Sequence, residues 1–373
     1  MPYVEDRRTA LTAAMDAQGL WPAEDDSAWI RPAILGLPRD QFAPDRVFVW
    51  DGVSVYAPVD RAENPCGWAD AVYPASPYEA TNTQIGEDGL PSSSISCTAI
   101  VADMLDSLML EEGHQVLEPG TGAGWNAGLL ARRGGLVVSV EIDPALADAA
   151  DARLKQAGLE VEVRAGDATK GAADRAPFDR VIATYAVERV PWIWVEQTRP
   201  GGRIVAPWGH LGHVALTVAD DGRSASGWVQ GLATFMPARG VDQGRPFHTV
   251  QGAAPATRVA TVHRNLALFT DRHLLFAVRV SHPHLRVSTT LADGGVGVSV
   301  HDGASSWARA VPQPDGTVLV TGGGPRDVWA ELLDGWDQWE ARGRPELWDF
   351  GMTVTAEEQF VWAGSPEHGP YRP

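Results

Sequence analysis

The residues whose types and spacing can do chemistry gather in one stretch, Val116-Leu117-Glu118-Pro119-Gly120-Thr121-Gly122-Ala123-Gly124-Trp125-Asn126. It reads as a buried strand, a glycine turn and the start of a helix running from Asn126 to about Arg133. Glycine at 120, 122 and 124 permits a sharp turn and lets a ligand approach where a Cβ would collide. The first N–H groups of the helix then point at that ligand. The spacing is G-x-G-x-G rather than the G-x-G-x-x-G of dinucleotide-binding turns. Glu118 places an acid beside the turn, which argues against a phosphate and suits a cationic ligand such as the ammonium of S-adenosylmethionine (SAM). That chemistry is methyl transfer, although a glycine turn alone is equally compatible with an unrelated α/β protein.

The elements that must position these residues follow along the chain. Leu136–Val140 is a second strand ending in Glu141, placed to accept hydrogen bonds from ribose hydroxyls, with Ile142 beside it. A helix opens at Asp143-Pro144 and runs to about Gly158. Val161–Arg164 is a third strand closed by Gly166-Asp167-Ala168, where Asp167 can accept from an adenine amino group. Phe178–Thr184 is a nearly all-apolar fourth strand, as expected for a sheet covered on both faces. Pro200-Gly201-Gly202 turns into a fifth strand, Arg203–Pro207. Strands alternating with helices imply a parallel sheet, and ligands bind at the carboxyl ends of such strands. The expected cofactor residues are Glu118, Gly120, Thr121, Gly122, Gly124, Trp125 and Asn126, then Glu141, Ile142, Gly166, Asp167, Ala168 and Thr184. The fold expected is α/β: a class I SAM-dependent methyltransferase (Rossmann-like) core with a mostly β C-terminal accessory domain.

Composition narrows the partners. The 373 residues carry 30 Lys and Arg against 48 Asp and Glu, a formal net charge of −18, and no basic stripe for a nucleic-acid backbone. Cys66 and Cys97 do not make a disulfide framework, so a reducing cytoplasm is expected. No apolar signal core opens the chain, and no apolar run approaches the roughly 20 residues of a membrane helix.

Four segments resemble the protein-L-isoaspartate O-methyltransferase family. Ile34-Leu35-Gly36-Leu37-Pro38-Arg39-Asp40-Gln41-Phe42-Ala43-Pro44 is similar to the Pro-Arg-Glu-x-Phe-x-Pro signature near the family's start. Ser94-Ile95-Ser96-Cys97-Thr98-Ala99-Ile100-Val101-Ala102-Asp103-Met104-Leu105 is similar to the Thr-Ile-Ser segment ahead of its SAM turn. Ala176–Ile182 and Pro200–Gly209 continue the match, which covers roughly residues 30–240. The resemblance implies methylation of an isoaspartyl carboxylate in a peptide, with SAM as cofactor and S-adenosylhomocysteine as product. It puts the active-site serine at Ser96 and substrate contacts at Ser94, Cys97, Thr98 and Val101, with Thr98 standing where the family has proline. Trp208, at the end of the fifth strand, is a further candidate for the peptide-binding wall.

Two features depart from the repair enzymes of that family. Residues 45–92 are longer and richer in Trp, Tyr and Pro, and about 130 residues follow Gly240. This layout is similar to a branch associated with ribosomally made peptides, in clusters carrying an ATP-grasp macrocyclase or a lanthipeptide pathway. Trp348–Thr355 and Val361-Trp362 are similar to that branch's C-terminal end. The partner implied is a macrocyclised precursor peptide whose aspartate becomes aspartimide or isoaspartate. General repair of isoaspartyl damage is the alternative enzyme reading. A non-catalytic SAM-binding protein that recruits a peptide is the alternative of another class. Oligomeric state is not encoded in any motif.

The organisation expected is an N-terminal helical and loop segment over 1–92, the methyltransferase core over 93–240, and a substrate-recognition domain over 245–373. In the first, a helix spans Arg8 to about Gln18, prolines prevent long helices, and Tyr73–Gly89 is either a lid or an ordered surface loop. In the last, strands are expected at 259–262, 274–280, 285–290, 297–301, 307–311 and 318–321, with one helix over Val328–Arg342. A carboxylate is ionised at neutral pH, so positioning and water exclusion replace a strong base. Ser96 would orient the carboxylate, or else cap the helix starting near Thr98. No metal is expected: His282-Pro283-His284 lacks partners at ligand spacing and reads as a solvated turn.

Overall fold

The computed structural model describes residues 2–371 except 54, 210, 242–243, 254 and 293–294. The chain separates into two compact units, Met1–Arg239 with Val354–Gln359, and Gly240–Thr353 with Phe360–Pro373.

The first unit opens with α1 (Pro2–Ala17), which starts earlier than the sequence suggested because a proline in the first helical turn gives up no hydrogen bond. Next come α2 (Ile30–Gly36), β1 (Arg46–Trp50), β2 (Tyr56–Asp60), α3 (Pro65–Val72), β3 (Thr81–Ile85) and β4 (Pro91–Ile95). The four strands form an antiparallel sheet in the order β2-β1-β3-β4, in a region expected to be loop. The prolines are compatible with it because of where they fall. Pro65 occupies the first turn of α3 behind the capping Asn64, Pro58 is on the edge strand β2, and Pro91 begins β4. Tyr73–Gly89 contains β3, which is paired on both sides, so this stretch is tied into a sheet. Val47, Thr81 and Ile95 are buried beneath that sheet.

The core continues through α4 (Thr98–Leu108), β5 (Val116–Pro119), α5 (Trp125–Ala131), β6 (Val137–Glu141), α6 (Pro144–Gln156) and β7 (Glu162–Ala165). It ends with β8 (Phe178–Ile182), α7 (Trp192–Glu196), β9 (Thr198–Trp208), β10 (Gly212–Val218) and β11 (Ser224–Gly231). The strand order in this unit is β11-β10-β9-β8-β5-β6-β7. The pairs β9-β8, β8-β5, β5-β6 and β6-β7 are parallel, and β9-β10-β11 is an antiparallel meander. From β5 the chain winds outward to β7, then returns to lay β8 on the other side of β5. That reversal opens a crevice at the carboxyl end of β5, and the glycine turn leaves β5 there. Val116, Leu117, Val137 and Val138 are fully buried in the central strands, each stabilising the fold by roughly 1.5–3 kcal/mol.

The second unit contains α8 (Phe247–Gln251), β12 (Arg258–Val262), α9 (Arg272–Ser281), β13 (Arg286–Ala292), β14 (Gly295–His301), β15 (Trp307–Pro312), β16 (Val318–Gly323) and α10 (Val328–Ala341). Its sheet is antiparallel in the order β12-β16-β15-β14-β13. The run 274–280, expected as a strand, is helix. Asp271 caps it by accepting from the His273 N–H at 2.8 Å, and its buried residues Leu274, Ala277, Val278 and Ser281 recur at helical spacing. A short apolar run has no period of its own to distinguish the two. In α10 the residues Val328, Leu332, Trp336 and Trp339 are buried along one stripe, as their spacing indicated. Short strands at Phe350–Thr355 and Gln359–Ala363 follow. Among the described residues no helix is long and apolar enough to cross a membrane.

Candidate active site

The glycine turn is built by φ angles that other residues rarely adopt. Gly120 sits at φ 89° and donates its N–H to Val140 O at 2.8 Å. A Cβ there would lie 2.7 Å from Cδ1 of Tyr185. Gly124, at φ 91°, is the N-cap of α5, and a Cβ on it would press within 3.2 Å of Ala150 on α6.

Glu118 is fully buried and does not line the cavity. Its Oε1 accepts from Asn126 Nδ2 at 2.7 Å and its Oε2 from the Ser139 hydroxyl, which contacts Thr121 Oγ1 at 2.6 Å. Burial pushes its pKa up to about 7 against the pull of those two hydrogen bonds. Glu118 therefore ties β5, β6 and α5 together from beneath. The reading of this acid as a ligand for an ammonium is corrected: a carboxylate at the third position of a fully covered strand turns into the sheet's packing layer.

Glu141, at the tip of β6, does line the cavity. Its Oε2 accepts from Gly122 N at 2.9 Å and its Oε1 from Asp143 N at 3.1 Å. Two carboxylate oxygens offer about four lone-pair sites, so acceptor capacity remains. Asp167 caps the turn after β7, accepting from Thr169 N at 3.0 Å and Thr169 Oγ1 at 2.6 Å. Those bonds hold its carboxyl below the usual range. Thr184 Oγ1 donates to Gly120 O at 2.8 Å, joining the end of β8 to the turn.

The same cavity is walled by Gly120, Thr121, Gly122, Trp125, Asn126, Glu141, Ile142, Asp167, Ala168 and Thr184, with Ser94 and Ser96 facing them from the end of β4. Gly124 and Gly166 stand behind the wall; Gly166 N donates to Glu141 O at 2.8 Å. The substrate candidates divide. Ser94 is on the wall, whereas Cys97, Thr98 and Val101 are buried at the start of α4, with Val101 part of the hydrophobic core. An α-helix starting at Thr98 turns these side chains inward, away from the cavity. Trp208 is also off the wall and donates from Nε1 to Glu188 O at 3.0 Å. Ser96 does not cap α4: the N-cap is Cys97, without a side-chain bond. Burial pushes the Cys97 thiol up, which makes it a poor nucleophile.

Tyr185 and Met236-Pro237-Ala238-Arg239 also line the cavity and were not foreseen. The latter segment arrives by pairing with the loop after β8: Ala186 N donates to Met236 O at 2.8 Å and Ala238 N to Ala186 O at 3.1 Å. Arg239 then reaches Asp143 Oδ2 at 3.0 Å and Gln84 Oε1 at 2.8 Å. Behind Ser96 lies Arg39, 2% exposed. Its Nη1 donates to Ser96 O at 2.6 Å, and burial lowers its pKa to about 10. Among the described residues no group of three or more His, Cys, Asp and Glu could hold a metal ion.

The chain's own groups fit SAM. Glycines clear the approach to the turn, Glu141 has unused acceptors for a diol, Asp167 offers an acceptor for an amino group, and Tyr185 supplies a flat apolar face. SAM, when bound, supplies a methyl group activated on a sulfonium. A sheet with its strand order reversing at β5, the glycine turn at that point and acids at the tips of β6 and β7 together define a class I SAM-dependent methyltransferase.

The match to known proteins carries this further. The family model described as protein-L-isoaspartate(D-aspartate) O-methyltransferase (PCMT) matches residues 30–237, and the chain belongs to that family. It is 48% identical over 117 residues to a protein-L-isoaspartate O-methyltransferase of Anaeromyxobacter dehalogenans, covering 31% of this chain and 56% of the relative. It is 32% identical over 216 residues to a protein of the same name from Methylorubrum extorquens, covering 57% of this chain and 80% of the relative. A solved structure described as a protein-L-isoaspartate O-methyltransferase is similar with a TM-score of 0.49 and 19% identity, over 96% of this chain and 100% of that one.

Proposed function

We propose that this chain transfers the methyl group of SAM to the carboxylate of an isoaspartyl or aspartyl residue in a protein or peptide. The observation that carries the reading is the placement of Ser96 on the same cavity wall system as Glu141 and Asp167. Among the described residues none hydrogen-bonds the Ser96 hydroxyl, which leaves it available to donate to a carboxylate. The nucleophile is ionised without help at neutral pH, so the residues around it need only hold it in line and keep water away. Among the described residues the wall carries no histidine or lysine, and an ionised carboxylate calls for neither.

A second reading concerns the substrate. Residues 240–353 and 360–373 lie beyond the span matched by the family model and form a compact unit of their own. An appended unit favours a dedicated partner: an aspartate in a ribosomally made, macrocyclised precursor peptide, with 245–373 recognising that peptide. After methylation the neighbouring backbone nitrogen attacks the ester carbonyl and methoxide leaves, departing as methanol with the nitrogen's proton. The product is an aspartimide, which water opens to isoaspartate. The test is mass spectrometry of reactions with SAM and either an isoaspartyl test peptide or a macrocyclised precursor from the same locus. Methyl gain on the precursor followed by net loss of water, with the test peptide untouched, supports the dedicated reading. Methylation of the test peptide alone supports general repair, and methylation of neither overturns both.

A further inference from the structure

Arg39 carries a buried positive charge that no carboxylate among the described residues meets. Its Nε donates to Val72 O at 3.0 Å; Nη1 donates to Ser96 O at 2.6 Å and Thr98 Oγ1 at 3.5 Å; Nη2 donates to Thr81 Oγ1 at 3.0 Å and Ile95 O at 3.2 Å. A guanidinium has five N–H groups, and here all five meet neutral acceptors. Asp40, next in sequence, is engaged instead by the Tyr73 hydroxyl at 2.5 Å. The ring of Trp125 lies 4.8 Å from the guanidinium carbon, another neutral partner. Buried charges are ordinarily paired with an opposite charge. Hydrogen-bonding dipoles and an aromatic face offset the desolvation of this one only in part.

The location of the charge indicates what completes the pairing. Ile95 O and Ser96 O belong to the two peptide units that flank Ser96, so the cation stands directly behind a residue that lines the cavity. The cavity's own ionised groups include Glu141, Asp167 and Arg239, and the whole chain carries a net charge of −18. An anionic substrate entering such a site needs a local positive field. We propose that Arg39 is a positioning residue that both fixes the backbone of Ser96 and supplies, through the low-dielectric protein behind it, the counter-charge for the substrate carboxylate. This assignment rests on the carboxylate-methylating reading above. Arg39 is not on the cavity wall, so it selects charge without touching the substrate.

The test uses the full chain loaded with S-adenosylhomocysteine and two peptides. One carries an isoaspartyl residue, and the other is identical except that the target carboxylate is a primary amide. Calorimetric titration of the wild type is expected to show the carboxylate peptide bound tighter on the order of tenfold, the scale of one charge acting through protein at an effective dielectric near 20. Arg39→Met is expected to bring the two affinities within about threefold of each other. Arg39→Lys keeps the charge but has only three donors, and is expected to retain most of the preference while losing turnover. A purely structural role makes Arg39→Lys weaken both peptides alike and leaves the ratio in folded Arg39→Met unchanged; either result overturns the proposal. If Arg39→Met does not fold, the wild-type ratio and Arg39→Lys still decide. Wild type binding both peptides equally also overturns it. Methyl transfer is followed separately in parallel samples given SAM in place of S-adenosylhomocysteine: a carboxylate preference without transfer sinks the enzymatic reading and leaves the role of Arg39 standing.

Discussion

Asn126 Nδ2 donates to Glu118 Oε1 at 2.7 Å, fastening the first turn of α5 to the strand that delivers the glycine turn. The Ser139 hydroxyl holds the other carboxylate oxygen from β6. The turn's shape thus depends on a buried acid that does not line the cavity.

That acid gives the fold a pH signature. Burial raises the Glu118 pKa from its ordinary 4.5 to about 7. Between those values the folded state binds a proton that the unfolded state has released, so stability falls as pH rises through the window and levels off above it. The swing is roughly 3 kcal/mol. Glu118→Gln keeps an acceptor for Asn126 and cannot ionise, so its stability is expected to lose this part of the pH dependence. Denaturant unfolding of both proteins at pH 5 and pH 8 checks it, and parallel pH profiles would remove Glu118 as the source.

Gly120→Ala tests the close approach at the turn. Its φ of 89° disfavours any side chain by roughly 1–2 kcal/mol, and the new methyl would fall 2.7 Å from Tyr185. The aromatic ring must move into the cavity or the turn must open. S-Adenosylhomocysteine binding is expected to weaken at least about tenfold, an amount equal to roughly 1.4 kcal/mol. Gly158→Ala is the control, with φ 69° and nothing within 4 Å of the added Cβ. It is expected to lower Tm by a few degrees and leave ligand affinity unchanged.

What the sequence disclosed and what it hid divide along the range of the interactions. The placement of Gly120, Glu141 and Asp167 on the cavity wall was legible because each position is set by a strand end and the turn beside it. Tyr185 and Arg239 were not, because they reach the cavity through the bridge between Ala186 and Pro237, a pairing across about 50 residues with no local pattern. The sheet over 46–95 was missed for a related reason. Its prolines were read as breakers, yet they fall on a helix start, an edge strand and a strand start, where proline is tolerated. Glu118 was misplaced because an acid next to a glycine turn is equally consistent with ligand contact and with a buried brace. The burial of β5 on all four of its residues decides between them.

Ser96→Ala separates orientation from binding. Ser96 lines the cavity, and its backbone is held independently by Arg39. Removing only the oxygen leaves the SAM-facing residues in place. Turnover is expected to fall about 10- to 100-fold, the scale of a misoriented reacting group, with S-adenosylhomocysteine affinity within twofold of wild type. A variant that keeps full kcat would show that the serine does not orient the carboxylate.

Arg239 joins two sides of the cavity, and its contribution is separable from fold stability. The guanidinium bonds Asp143 at the start of α6 and Gln84 on β3, and this contact with Asp143 holds that carboxyl below its ordinary 3.8. A group with a depressed folded pKa stabilises the fold above its unfolded pKa, and the contribution is lost as pH falls through the folded value. The pair is partly solvent-exposed, so its net worth is small, about 0–1 kcal/mol. Arg239→Met is therefore expected to shift Tm at pH 7 by little, and that small difference is expected to shrink as pH falls below 3.8. Its effect on the cavity should be larger, because Arg239 itself lines the cavity. Stopped-flow measurement of S-adenosylhomocysteine release is expected to show a several-fold faster rate with a nearly unchanged association rate. Equal release rates would mean that the link braces the surface of the unit and does not retain what lies beneath it.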